Sequence, residues 1–153
     1  MPRGRRKSVR IPSTLPCTAS TLRPAMPRTA EDVETFLLQL DRRFENDGGT
    51  YLVSTGAETP IAIRVAPPIL AVRVTIGPLP KDPEHQNKLF RRLLEYNATD
   101  LMHAAYGIAD HSVVLSAALA LDNLDLNELD ATLSDLDLAL AQHVPTLHDL
   151  ATT

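Results

Sequence analysis

Four acidic side chains in the C-terminal third of the chain are the residues best suited, by type and spacing, to bind a metal ion. The stretch "ALDNLDLNELDATLSDLDLAL" begins at Ala120 and contains Asp122, Asp125, Glu128 and Asp130, with no lysine or arginine. A calcium loop needs alternating oxygen ligands, a glycine at its sharp turn and a distal bidentate acid. Here leucines occupy alternate positions and glycine is absent. The spacing therefore favours surface charge and a capping box, with Asp125 as the N-cap and Glu128 three residues later.

The five histidines show no metal-binding or catalytic spacing. None belongs to an H-E-x-x-H motif or pairs with cysteine at zinc spacing, which favours surface or satisfied core positions. His143 and His148 flank Pro145, which is predicted to mark a helix end, where a positive charge is favourable. The other three are His85, His103 and His111. We predict no bound metal.

Sequence motifs for nucleophilic catalysis and for nucleotide binding are also absent. The chain contains no G-x-S-x-G, no phosphate-binding loop and no G-x-G-x-x-G. The single cysteine, Cys17, lies in a segment where nothing can position a base to activate it. We therefore predict that the protein is not an enzyme and uses no cofactor. That the protein is an unrecognised hydrolase is a further hypothesis, and only negative observations support it.

Length and composition favour one globular domain. The chain has 153 residues, of which 44% are hydrophobic, and it lacks tryptophan. No apolar run reaches the ~20 residues of a membrane-spanning helix. The lone cysteine cannot support a disulfide framework, which fits a reducing compartment. We predict a cytoplasmic protein with a core of leucine, isoleucine, valine and alanine.

The charge divides the chain into two parts. Residues 1–28 carry seven basic side chains and no acid, which leaves eight basic groups against nineteen acids, a net charge of −11, in the rest. The first segment is rich in proline, serine and arginine and shows no apolar periodicity, so we predict a disordered basic tail. It has two interpretations: a tail without function, with translation starting at Met26, or a contact for nucleic acid or an anionic surface. The acidic remainder would repel a phosphate-rich partner.

The remainder, residues 29–153, shows the alternation of helix and strand patterns expected of an α+β domain. Thr29 is predicted to cap a first helix, whose apolar residues recur every three or four positions up to Phe44, where "NDGG" ends it. Three β-branched segments follow: "TYLVST", "PIAIRV" and "ILAVRVTI". Asp82 and Pro83 begin a second helix, "AAYGIAD" and "SVVLSAALAL" form a hairpin, and a leucine stripe predicts a last helix. The expected fold is α-β-β-β-α-β-β-α with a five-stranded antiparallel sheet.

The second helix carries apolar residues over more than one face. Leu89, Phe90, Leu93, Leu94 and Tyr96 form a surface wider than a single core-facing stripe. Such a width indicates that the helix packs against its own sheet and also against something else, although core packing alone is the alternative. A small acidic domain with this surface and no reactive motif is better suited to holding a protein than to transforming a substrate.

The stretch "LFRRLLEYNATDLMHAAYGIADHSVVLSAALALDNLDLNELDATLSDL" resembles the second half of the Tir-chaperone-like superfamily, which contains type III secretion chaperones and YbjN-like proteins. The similarity is carried by the "LLEYN" helix end, the strands "AAYGIAD" and "SVVLSAALAL", and the entry "LDNLDLNEL" to the last helix. The helix and three strands before it follow the family's order, so the resemblance covers residues 29–150.

The resemblance implies a non-enzymatic chaperone or adaptor that acts as a homodimer and holds a segment of a client protein, possible clients including a secreted effector. It implies dimer-interface positions on the second helix at Leu89, Phe90, Leu93 and Leu94. It also implies a client-facing or core surface, which the sequence does not divide, at Val33, Phe36, Leu37, Ile61 and Ile63. The basic tail departs from such chaperones. A regulator that binds nucleic acid or an anionic surface through this tail is the alternative hypothesis.

Overall fold

A computed structural model describes residues 26–152. The predicted tail lies outside these residues except for its last three positions. The helices are α1 (Ala30–Gln39), α2 (Pro83–Thr99) and α3 (Leu126–Thr152), and the strands are β1 (Phe44–Asp47), β2 (Thr50–Val53), β3 (Ile61–Ala66), β4 (Ile69–Pro78), β5 (Ala105–Ala109) and β6 (Ser112–Ala120).

The strands form one antiparallel sheet in the order β1-β2-β3-β4-β6-β5. The α+β class and the antiparallel sheet are as predicted, but the sheet has six strands where five were expected. The extra strand is β1, which pairs Phe44 with Val53 and Asp47 with Thr50. The residues predicted as the end of the first helix therefore form an edge strand.

Helix α1 ends earlier than its apolar stripe because its C-terminus forms a Schellman motif. Asp41 adopts a left-handed backbone with φ 54°, a conformation that aspartate tolerates better than most residues. The Asp41 N–H donates to the Leu38 carbonyl and the Arg42 N–H donates to the Leu37 carbonyl, and the N–O distance is 3.1 Å in both bonds. The N-terminus is as predicted, since Thr29 and Asp32 form a capping box.

The "NDGG" segment is the turn of a hairpin, and the prediction that it terminates a helix is wrong. Gly48 and Gly49 have φ values of 58° and 90°, as the two-residue turn between twisted antiparallel strands requires. The Asn46 side chain accepts the Gly49 N–H at 3.0 Å. Another short hairpin turn lies at Asp110 and His111, where it was predicted.

The core lies between one face of the sheet and the three helices. Alternate residues of the central strands, such as Leu70, Val72 and Leu115, are fully or almost fully buried against apolar residues of the helices. Their neighbours on the opposite face, such as Arg64 and Arg73, are exposed. The sheet is thus covered on one face and open on the other in the part of the chain described.

Of the three helices, α3 contributes the most buried residues. Its stripe of Leu129, Leu133, Leu136 and Leu140 is buried as predicted. Asp125 accepts the Glu128 N–H at 2.8 Å, which is the first bond of the predicted capping box. The helix continues through Pro145 to Thr152, so the predicted helix end there is wrong. A proline removes one backbone hydrogen bond, and the burial of residues beyond it, such as Leu147, offsets this loss.

Candidate protein-binding surfaces

Helix α2 divides its apolar residues between the core and the surface. Leu89 and Leu93 are buried in the core cluster, so these two predicted interface residues pack within their own chain. Phe90 is half-buried and Leu94 is 68% exposed. Phe90 and Leu94 are four residues apart and therefore share one face of the helix. They are the two predicted dimer-interface residues that a partner can reach in the chain as it stands.

The predicted client-facing set divides in a similar way. Val33, Leu37, Ile61 and Ile63 have no exposed surface and belong to the core, which is one of the two roles left open by the sequence. Phe36 is half-buried, and the Arg28 guanidinium lies 5.5 Å from its ring centroid. A client-facing role for this set stays a prediction, and Phe36 is its accessible member.

Several exposed apolar residues were not singled out by the sequence analysis. Leu38 lies beside Leu37 on α1 but points away from the core and is 64% exposed. Its signal in the sequence is a leucine that falls outside the helical stripe. The same is true of Leu138 on α3, and the connection before β5 adds Met102. These residues are further apolar side chains that the domain exposes.

Two acidic side chains of helix α3, Asp135 and Asp137, bind residues of the connections that follow α1 and α2. The Arg42 guanidinium, just after α1, forms an ion pair with Asp137. Asp135 accepts the backbone N–H groups of Met102 and His103, which fixes the connection between α2 and β5. Some of the acids of the C-terminal third thus have structural roles.

A buried polar cluster joins α2, β5 and α3. The His143 ring stacks on Tyr96 with centroids 3.7 Å apart and planes 6° apart. Its Nδ1 lies 3.1 Å from the Tyr106 hydroxyl and its Nε2 lies 3.2 Å from Asp100. Because an ionised carboxylate only accepts, Nε2 carries the proton and Nδ1 accepts from the Tyr106 hydroxyl. His143 is therefore a satisfied core histidine, and Asn97 adds two hydrogen bonds to the Tyr106 backbone.

The protonation of this cluster follows from its surroundings. Burial is the main cause that raises the pKa of Tyr106, so its phenol stays protonated and can donate at neutral pH. A hydrogen bond from the Thr99 hydroxyl is the largest cause that lowers the pKa of Asp100, and the His143 hydrogen bond acts in the same direction. Asp100 therefore remains an acceptor for His143.

The cluster resembles a catalytic triad in composition but not in access. His143 is 4% exposed and Tyr106 is 6% exposed. The cavity beside Asp100 and His143 has a volume of about 10 Å³, too small for a substrate. The contacts among Tyr96, Tyr106 and His143 can hold α2, β5 and α3 together. Over residues 26–152, no three histidine, cysteine or acidic side chains are grouped so that they could hold a metal ion.

The described helices include none long and apolar enough to cross a membrane. Helices α1, α2 and α3 each expose at least one large apolar side chain.

Solved structures with the same fold include chaperones in complex with other proteins. A chain of the heterodimeric ExoU-SpcU complex from the type III secretion system of Pseudomonas aeruginosa has 18% identity and a TM-score of 0.62, over 78% of this chain and 98% of that one. The structure of the Yersinia pestis type III secretion chaperone SycH with a fragment of YscM2 has 16% identity and a TM-score of 0.53, over 78% of this chain and 99% of that one. YbjN from E. coli has 11% identity and a TM-score of 0.59, over 76% of this chain and 91% of that one. At these identities the similarity shows the fold.

The sequence comparison identifies the family. No curated protein matches the sequence significantly. The family model CesT_Tir_1, however, matches residues 26–153, which includes all of the described domain. The predicted resemblance to the Tir-chaperone-like superfamily is thus confirmed, and the chain belongs to the CesT_Tir_1 family.

Proposed function

We propose that this protein is a non-enzymatic chaperone or adaptor that holds a segment of a client protein and acts as a homodimer in the cytoplasm. The observation that carries the proposal is the exposure of Leu94 on α2 and Leu38 on α1, two helices whose other faces are in the core. Exposed apolar residues that are grouped on one face mark sites that bind proteins, and Leu94 shares its face of α2 with the half-buried Phe90. Membership of the CesT_Tir_1 family and the chaperone complexes among the similar structures support the same function.

The two surfaces are assigned different partners. The face of α2 with Phe90 and Leu94 is the dimer contact, because one helix face repeated in a second copy makes a self-complementary interface. The exposed surface of α1 is left for the client, and Phe36 is the accessible member of the predicted client-facing set. The reactive groups of the described domain support no catalysis in this proposal, because His143 and Tyr106 are enclosed.

Binding to a permanently unfolded protein tests the chaperone function. We expect the full chain to bind fluorescently labelled, reduced and carboxymethylated lactalbumin with a Kd in the micromolar range, measured by fluorescence anisotropy. Apolar segments of the unfolded probe are accessible to the exposed leucines, whereas native lactalbumin buries its own. Native lactalbumin is therefore the control and should not bind. Equal binding of both forms, or no binding of either, would contradict the proposal.

The second candidate function rests on the basic tail. Residues 1–28 carry seven basic side chains and no acid, which suits a phosphate-rich or anionic partner. The alternative is a regulator that contacts such a partner through these residues. Deletion of residues 1–25 should then abolish salt-sensitive binding to a random-sequence DNA duplex. Unchanged binding after the deletion excludes this function for the tail.

A further inference from the structure

Strand β5 is an edge of the sheet whose sequence favours pairing with another strand. It lies at the end of the strand order, and among the described strands it pairs with β6 only. The residues of β5 and β6 include no charged side chain and no proline. Uncharged segments rich in β-branched and aromatic residues pair between chains when an edge is open. Ile108 adds an apolar side chain that is 51% exposed on this edge.

The opposite edge of the sheet has a different chemistry. Strand β1 has four residues, of which Glu45, Asn46 and Asp47 are exposed. Short edge strands with charged side chains resist pairing, because a second copy of the strand would bring like charges together. Strand β5 has no such charges, so its edge requires a different kind of protection.

The side chain of Asn97 on α2 occupies the place of a neighbouring strand at the β5 edge. Its Nδ2 donates to the Tyr106 carbonyl at 3.1 Å, and its Oδ1 accepts the Tyr106 N–H at 2.7 Å. In an antiparallel ladder, a residue of the next strand exchanges the same two hydrogen bonds with the residue that it faces. One carboxamide therefore satisfies both backbone groups of Tyr106 without a further strand.

The position of Tyr106 decides how much of the edge remains. The backbone groups of alternate strand residues point to the same side, and those of Tyr106 point away from β6 towards Asn97. Tyr106 and Ile108 are thus the two residues of β5 whose backbone groups point outward. An added strand needs both residues to form a ladder. Because Asn97 occupies one of the two, Ile108 alone is left.

The carboxamide is held at this edge by the packing of α2. Leu93 of the same helix is buried in the core, and the Tyr96 ring stacks on His143 of α3. The Tyr106 hydroxyl in turn lies 3.1 Å from Nδ1 of His143. Helix α2 and strand β5 are therefore both attached to α3, which keeps Asn97 beside Tyr106.

We propose that Asn97 closes the β5 edge against strand pairing with a second copy of this chain. With the edge closed, copies associate through the Phe90 and Leu94 face of α2 and association stops at two. Without the carboxamide, the β5 strands of two copies pair and larger assemblies form. The link to the homodimer rests on the proposed function, whereas the closed edge rests on the two hydrogen bonds of Asn97.

The variant Asn97→Leu in the full chain tests the closed edge. It removes both hydrogen bonds, and leucine favours a helix more than asparagine does, so α2 should persist. We expect light scattering to give a mass about twofold or more above that of the wild type at the same concentration. Gln142→Leu is the matched control, because it replaces an exposed carboxamide of α3 by leucine, and it should keep the wild-type mass.

Hydrogen exchange separates an open edge from general unfolding. At a concentration below that of assembly, the Tyr106 N–H of Asn97→Leu should exchange about tenfold faster than in the wild type, because it has lost its acceptor. The Leu115 N–H should exchange as in the wild type, since Leu115 lies inside the sheet between β4 and β5. Faster exchange at both positions would indicate unfolding and overturn the proposal.

A second substitution tests whether the assembly uses the β5 edge. Ile108→Lys places a charge on the exposed end of this edge, where two copies would oppose each other. Added to Asn97→Leu, it should restore the wild-type mass. Assembly of the double variant to the same mass as Asn97→Leu would place the contact elsewhere and overturn the proposal.

The masses also separate this proposal from the homodimer. If the wild type has the mass of one chain and Asn97→Leu has a larger mass, the homodimer fails and the closed edge stands. If the wild type has the mass of two chains and Asn97→Leu has the same mass, the closed edge fails and the homodimer stands.

Discussion

Replacing His143 by leucine is expected to lower the free energy of unfolding by about 3 kcal/mol. The substitution leaves the buried Tyr106 hydroxyl without its hydrogen-bond partner, which costs about 1–3 kcal/mol. It also removes the stacked contact with Tyr96, and aromatic pairs of this kind are worth about 0.5–1.5 kcal/mol. The loss of the exposed Asp100 contact adds little.

Urea unfolding followed by circular dichroism measures this loss. Gln142→Leu is the control, because Gln142 is the exposed neighbour of His143 on the same helix, and its stability should stay close to that of the wild type. The double variant with Tyr106→Phe and His143→Leu should be at least as stable as the single His143→Leu variant, because it leaves no buried hydroxyl unpaired. If His143→Leu loses less than about 1 kcal/mol, the cluster does not hold α2, β5 and α3 together.

Replacing Leu94 by arginine is expected to convert the proposed homodimer into a monomer, with a rise of about 100-fold or more in the dimer Kd. In a two-fold interface each substitution acts twice, once in each copy. Each copy would place an unpaired positive charge in an apolar contact, next to Arg91 on the same helix. Because Leu94 is 68% exposed in the single chain, the fold itself should not change.

Light scattering over a dilution series measures the oligomeric mass. The wild type should have about twice the mass of one chain, which is 16.7 kDa. The Leu94→Arg variant should have the mass of a single chain. Leu38→Arg is the matched control, because Leu38 is a leucine of similar exposure on α1, and it should remain dimeric. A monomeric wild type at micromolar concentration would refute the homodimer, and a dimeric Leu94→Arg variant would place the interface elsewhere on the chain.

Elements that begin with strong local signals were predicted close to their bounds. The Asp82 and Pro83 pair begins α2 because its cap and its fixed φ act within one turn. The β5–β6 hairpin follows from two β-branched or small-residue runs around Asp110 and His111. Asp125 was correctly interpreted as the N-cap of α3, since its side chain accepts the Glu128 N–H.

The error at β1 arose because a helical pattern continued by chance beyond the helix. Phe44 lies four residues after Leu40, so it extends the apolar stripe of α1. The backbone, however, turns at Asp41, and Phe44 is half-buried, paired with Val53 and in edge contact with the Tyr51 ring. Strand pairing is a non-local contribution that periodicity along the sequence cannot detect.

The sequence by itself determined the fold class and the approximate order of elements, because capping, turn chemistry and apolar periodicity act over a few residues. Its resemblance to the Tir-chaperone-like superfamily indicated the family. Only the tertiary structure decided which apolar residues are core and which are exposed, and so left Phe90 and Leu94 accessible while burying Leu89 and Leu93. It also brought His143 to Tyr106. These relations join residues far apart in the chain, and packing between elements, not spacing within them, determines such contacts.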